Sequence, residues 1–134
     1  MDILGNFLSS FKNAQTRKKT GFYLPYSKLY HALLTACKEE GYIQNFTLVQ
    51  DSNLLHNRKR VFLKKFYVQI GSGFVDIERI STPTRPVYKE AQELNMPPYV
   101  EGLRTYFVST NRGILSSRMA VHHWSGGQLL FSFF

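Results

Sequence analysis

The chain has a single cysteine, Cys37, and only nine Asp and Glu against seventeen Lys and Arg, which gives a net charge of +8. One thiol cannot build an internal disulfide framework or a zinc site of several cysteines. The scarce carboxylates are also badly placed for chemistry. Glu39 and Glu40 are neighbours near a helix end and point in different directions. Asp76 and Glu78 share a strand face, as the solvent side of a sheet ordinarily does. His122 and His123 have no third ligand at helical spacing, and Cys37 lies on an apolar stripe as a small core residue. Gly71-Ser72-Gly73 lacks the Lys-Ser/Thr ending of a phosphate loop. No catalytic set, metal site or cofactor is expected. No apolar run approaches the roughly 20 residues that span a bilayer. The first segment does not read as a secretory signal, because Asp2 is acidic and the apolar residues are spaced. There is no internal repeat and no low-complexity tract.

What is present is apolar and basic. Hydrophobic residues make up 43% and aromatics 15% of 134 residues, enough for a packed core in one domain or two small modules. The positive charge is clustered: Lys12, Arg17, Lys18 and Lys19 near the start, then Arg58, Lys59, Arg60, Lys64 and Lys65. After Glu101 no carboxylate follows, while Arg104, Arg112 and Arg118 remain. A surface of this kind gains affinity for nucleic acid by releasing condensed counterions. An anionic membrane surface is the second class of partner, and a solvated basic face the plain alternative.

The apolar spacing of Ile3, Leu4, Phe7, Leu8 and Phe11 predicts an amphipathic helix over Asp2–Ala14, with Asp2 as N-cap or first-turn anion. Gln15–Gly21 reads as a basic loop, and Tyr23 and Leu24 before Pro25 as extended chain. Ser27 is expected to cap a second helix that carries Leu29, Tyr30, Leu33, Leu34 and Cys37, with Gly41 as its left-handed end. Strands are expected over Phe46–Val49, over Val61–Ile70 with an interruption at Lys64 and Lys65, and over Phe74–Ile80, with Asp51–Asn57 a polar connection. The proline-containing segment 81–86 marks a boundary, so the expected fold is α+β with modules at 1–80 and 81–134. In the second module a brief pairing at Val87-Tyr88 and one helical turn over Lys89–Leu94 are expected. They precede a strand at Thr105–Val108, a short helix capped by Ser116 and ended by Gly126-Gly127, and a terminal strand.

Ser109-Thr110-Asn111-Arg112-Gly113 is the segment richest in polar chemistry. Two hydroxyls, an amide, a guanidinium and a glycine can meet phosphate, ribose hydroxyl and base edges. The same residues make an ordinary turn, and composition alone does not choose between the two.

An ordered set of segments resembles one family. Leu8–Gln15 (LSSFKNAQ), Pro25–Leu29 (PYSKL), Lys38–Ile43 (KEEGYI), Ile80–Lys89 (ISTPTRPVYK), Phe107–Gly113 (FVSTNRG), Ile114–Ala120 (ILSSRMA) and Gly126-Gly127 occur in sequence. Together they resemble the eighth protein of the small ribosomal subunit in its bacterial and organellar form, over essentially the whole chain. The resemblance implies a two-module α+β protein. It would bind the central domain of small-subunit rRNA without catalysis, assist assembly and touch neighbouring small-subunit proteins. It implies no membrane or small-molecule partner.

The residues that match the family's RNA-facing positions are Ser109, Thr110 and Asn111, with Arg112 and Gly113 completing the loop, then Tyr88 and Lys89 after the proline segment, and Lys12, Asn13 and Gln15 in the first helix. Arg17, Lys18, Lys19, Lys28, Arg85 and Arg118 complete the expected rRNA-binding set. The sequence departs from the family at Ser10, where a basic residue is usual, at Gln128, where glutamate is usual, and at Ser117, where an acid is common. Asp51–Lys65 matches poorly. This drift, with many Phe, Tyr and Asn, points to a mitochondrial ribosome in the matrix, with the plastid as the alternative. The chain starts at the family's first helix, so no cleavable presequence is expected within it. The competing function is an RNA-binding translational regulator that acts off the ribosome through the same surface.

Overall fold

A computed structural model describes residues 3–56, 59–72, 76–97, 99 and 102–134, and the side chains among these except 50–56 and 59–63. It has the α+β class expected and divides into two compact units, Ser9–Ser72 and Met1–Leu8 with Gly73–Phe134. The first helix, α1 (Ile3–Thr16), contributes residues to both. Its expected cap Asp2 lies outside the described residues, as do Phe74, Val75 and Arg58.

The unit Ser9–Ser72 packs helices on one antiparallel sheet. β1 (Gly21–Pro25), β2 (Ile43–His56) and β3 (Lys59–Ile70) lie in the order β1-β3-β2. α2 (Lys28–Glu39) starts where expected, because Ser27 Oγ accepts a hydrogen bond from the Tyr30 amide at 3.0 Å. Leu33, Leu34 and Cys37 of α2 are buried with Leu24, Phe66 and Val68 of the sheet, and Phe11 packs edge-on to Phe22 at 5.3 Å. Burial pushes the Cys37 thiol pKa far above its ordinary range, and the nearby Glu40 carboxylate adds to the rise.

Two expectations for this unit need correction. Of the polar connection expected over Asp51–Asn57, residues 51–56 instead continue β2, and β3 pairs with it from Ile43↔Ile70 out to His56↔Lys59; Asn57 lies outside the described residues. Lys64 and Lys65 do not interrupt β3. In both places a ladder partner satisfies the backbone whatever the side chain, so pairing overrides weak strand propensity.

The other unit holds a five-stranded sheet. β4 (Ile77–Arg79), β8 (Gly127–Phe133), β6 (Thr105–Thr110) and β7 (Gly113–Ser116) lie side by side, and β5 (Tyr88–Lys89) also pairs with β8. The strand expected over 74–80 as part of the first module is therefore shorter and pairs with β8 instead. β8 is buried from Leu129 to Phe133, which explains why only Ser132 interrupts its apolar run. Phe131 stacks on Phe107 at 5.0 Å and tilts against Phe7 at 6.1 Å. Leu94, Tyr106, Val108, Ala120 and Leu129 form a second cluster with α3 (Ala91–Leu94) and α4 (Ser117–His122).

The register shifts between Phe107 and Val108, which leaves Leu130 as the extra residue of a β-bulge. Its carbonyl accepts from the amides of Ile80 at 3.0 Å and Ser81 at 3.3 Å. Ser81 is itself buried; its hydroxyl donates to the Leu129 carbonyl and accepts from the Val87 amide at 2.9 Å. The segment that reads as a boundary is thus stitched to β8. The sequence gives little sign of this, because one buried serine looks like any loop serine.

Candidate nucleic-acid interface

In the C-terminal unit the ladder aligns the expected residues. Tyr88 pairs with Gln128, and Gln128 pairs with Ser109, so the three form one row across β5, β8 and β6. Direct partners point to the same face, and neighbouring strands lie about 4.8 Å apart. Tyr88 and Ser109 are exposed and Gln128 is half-buried between them. The next row is Lys89, Gly127 and Thr110, and Thr110 also pairs with Gly113. Segments far apart in sequence thus meet at one end of the sheet.

The expected loop is mostly strand. Ser109 and Thr110 end β6, Gly113 begins β7, and only Asn111 and Arg112 turn the chain. Neither has positive φ, whereas Gly113 sits at φ 106°. A turn followed by a left-handed glycine is a common hairpin closure. Thr110 Oγ1 donates to the Gly113 carbonyl at 2.8 Å and accepts from the Arg112 amide at 3.1 Å. Thr110 therefore holds the turn, and this leaves Ser109, Asn111 and Arg112 exposed to meet a ligand.

The glycine pair does not end the short helix, contrary to expectation. α4 closes at His123, and Trp124 takes the left-handed position at φ 49°. Its amide donates to the Val121 carbonyl at 2.9 Å and the Ser125 amide donates to that of Ala120 at 2.8 Å, which is a Schellman closure. The glycines serve close approach instead. A β-carbon on Gly126 would lie 2.6 Å from the Lys89 carbonyl oxygen, and one on Gly127 would collide with that of Ser109. A groove of about 520 Å³ opens here, with Tyr88 and Trp124 on its walls and the two glycines in its lining. Trp124 is 61% exposed and sequence reasoning missed it, although a tryptophan just before a glycine pair was a legible signal. Lys89 also faces this groove, but its ammonium is paired with Glu93 at 3.4 Å.

Arg85 and Arg118 are exposed but belong to neither row. Arg85 closes a small turn with Thr82, and Arg118 lies in the first turn of α4. The acidic pair considered above is committed elsewhere: Glu78 bonds to Arg104, and Asp76 Oδ1 accepts from the Ile77 amide at 2.8 Å.

In the unit Ser9–Ser72, α1 ends in another Schellman closure. The Lys19 amide donates to the Ala14 carbonyl at 2.9 Å and the Lys18 amide to that of Gln15 at 3.1 Å, with Lys18 left-handed at φ 54°. The closure gathers Arg17, Lys18 and Lys19 at the negative end of the helix dipole, where cations are favoured. Asn13, Arg17 and Lys19 line a groove of about 340 Å³ that reaches Gly21 and Tyr23. Lys12 is exposed on α1 and Gln15 half-buried, while Lys28 is exposed at the start of α2 and does not line this groove. Of the second basic cluster, the side chains of Lys59 and Arg60 lie outside the described residues.

The sequence pattern of the family described as ribosomal protein S8 matches residues 2–134. The chain belongs to the ribosomal protein S8 family. A protein named small ribosomal subunit protein uS8 from Buchnera aphidicola subsp. Acyrthosiphon pisum (strain 5A) is 34% identical over 130 residues, covering 96% of this chain and 94% of its own. Its namesake from Salinibacter ruber is 32% identical over 134 residues, covering 99% and 96%. That from Alcanivorax borkumensis is 35% identical over 130 residues, covering 96% of this chain and 94% of its own. Members of the S8 family are structural ribosomal proteins rather than enzymes, and the chain is one of them.

Proposed function

We propose that the chain is the S8 component of a mitochondrial small ribosomal subunit and binds the central domain of its rRNA. The observation that carries the binding site is the row of Tyr88, Gln128 and Ser109 beside the Asn111-Arg112 turn. It offers a ring for stacking, a hydroxyl and amides for ribose and base edges, and a guanidinium for phosphate. Gln128 keeps the centre of the row uncharged, so phosphate meets no carboxylate there. Arg17, Lys18 and Lys19, with Asn13 in their groove, supply phosphate contacts in the other unit. Arg85 and Arg118, exposed in the same unit, add to its positive charge, Lys89 flanks the row in its pair with Glu93, and Lys12, Gln15 and Lys28 complete the set. The mitochondrial assignment is supported by the drift from bacterial relatives, about a third identical, and by the aromatic-rich composition.

The test is sedimentation of mitochondrial lysate at moderate and high salt, with the protein followed by mass spectrometry. Co-migration with the small subunit at both salts is expected. Recovery from plastid ribosomes instead would overturn the compartment, and recovery as free protein would overturn the integral role.

A further inference from the structure

The outer face of the three-stranded sheet carries two rings, Tyr23 and Tyr67, that the rRNA-binding set does not include. Tyr23 pairs with Tyr67, and Tyr67 pairs with Thr47, forming a row across β1, β3 and β2. The next row on the same face is Pro25, Lys65 and Val49. The opposite face holds buried Leu24, Phe66 and Val68. Tyr23 is nonetheless 57% exposed. Its ring centroid lies 4.9 Å from that of Tyr67, and the Lys65 ammonium stands 4.6 Å from it. Neither row contains an acid.

This face is also built to hold its rings in place. A β-carbon on Gly21 would lie 2.7 Å from the Tyr67 hydroxyl oxygen, so the absent side chain gives the Tyr67 ring a seat on β1. Tyr23 borders two grooves. One, of about 340 Å³, contains Arg17 and Lys19; the other, of about 390 Å³, contains Lys64 and Lys65. The rings of Tyr23 and Tyr67, tilted 52° from each other, are therefore flanked by Arg17 and Lys19 on one side and Lys65 on the other, while Lys64 alternates to the Phe66 face.

We infer that this face is a second RNA-contact site, which takes an unpaired stretch of rRNA with one base stacked on Tyr23. Phosphates on either side of that base meet Arg17 and Lys19 in one direction and Lys65 in the other. Aromatic rings on an open sheet, flanked by basic side chains, are a general solution for single-stranded RNA. The exposed Tyr23, Pro25 and Val49 are bordered by Arg17, Lys19 and Lys65 with no acid in either row, and this positive border complements a polyphosphate. The inference rests on the chain's being an rRNA-binding protein, but not on the row at Ser109.

The experiment uses the full chain and two RNAs: a fluorescein-labelled oligoadenylate of nine nucleotides, and a hairpin from the central domain of small-subunit rRNA. Tyr23→Ala is expected to weaken oligoadenylate binding by about 5- to 100-fold, the range of a lost stacking partner, while Tyr23→Phe retains it. Tyr23 is exposed, so the folded state tolerates the change, and circular dichroism checks this. Arg112→Ala is expected to weaken hairpin binding alone. Unchanged oligoadenylate binding by Tyr23→Ala overturns the second site and leaves the Ser109 row standing. Loss of oligoadenylate binding with a hairpin insensitive to Arg112→Ala overturns the row and leaves the second site. In the assembled subunit, a benzophenone photocrosslinker replacing the Tyr23 side chain is expected to yield an RNA adduct. A protein adduct, or no adduct, overturns the inference.

Discussion

Gly127 lies directly against the backbone of Ser109, with no space for a side chain between them. β8 can begin there only because residue 127 lacks a β-carbon, and the same approach brings Tyr88 and Ser109 into one row. Gly127→Ala is therefore expected to destabilise the fold by about 1–3 kcal/mol through overpacking. It should also weaken RNA binding, because β8 must shift away from β6. Urea denaturation and a filter-binding titration check the two effects.

Thr110 and Ser109 are neighbours with opposite assignments. Thr110→Val removes both hydroxyl bonds of the turn and is expected to cost about 1 kcal/mol of stability. Ser109→Ala, at an exposed position, should stay within about 0.5 kcal/mol of the parent yet lower affinity for the rRNA hairpin. Thermal melts paired with affinity measurements separate the roles. Equal effects of the two variants on both readouts would refute the division.

Lys18 and Trp124 occupy left-handed helix ends that Gly41 fills in α2. A side chain in that conformation costs about 1–2 kcal/mol. Lys18→Gly and Trp124→Gly are both expected to raise stability by about 1 kcal/mol, measured by chemical denaturation. Lys18→Gly should lower RNA affinity as the stability rises, because a cation leaves the cluster at the end of α1. A stabilised variant with unchanged affinity would remove Lys18 from the interface.

If about five phosphates are neutralised, the logarithm of affinity falls with the logarithm of salt concentration with a slope of about −4. Arg112→Ala should make that slope shallower by about 1, as expected when one phosphate contact is lost. Titrations at several potassium chloride concentrations give the slope. An unchanged slope would place Arg112 away from phosphate.

Much of the fold was legible because it depends on short-range signals. The Ser27 cap, the left-handed Gly41 and the apolar stripe of α2 need only their own neighbours in sequence. The errors fall where a distant partner decides. Residues 51–56 carry little strand propensity but have β3 beside them, and Ile77–Arg79 pairs with the last strand of the chain rather than with its sequence neighbours. For the proposed site, Ser109, Arg112 and Tyr88 were put forward from side-chain chemistry and family resemblance, and the ladder brings Ser109 and Tyr88 into one row. The structural duty of Thr110 was not, since a hydroxyl that closes a turn is written with the same letter as one that faces a ligand. Trp124 was missed because Gly126-Gly127 offered a sufficient reason for the helix to stop.

The burial of Cys37 bears on the life of the chain before it folds. A newly made molecule exposes its one thiol to every oxidant and electrophile around it. Once α2 settles on the sheet, that sulfur is sealed from solvent and held protonated. Folding by itself therefore shields the thiol, and an alkylating reagent is expected to label Cys37 in the unfolded chain and spare it in the folded one.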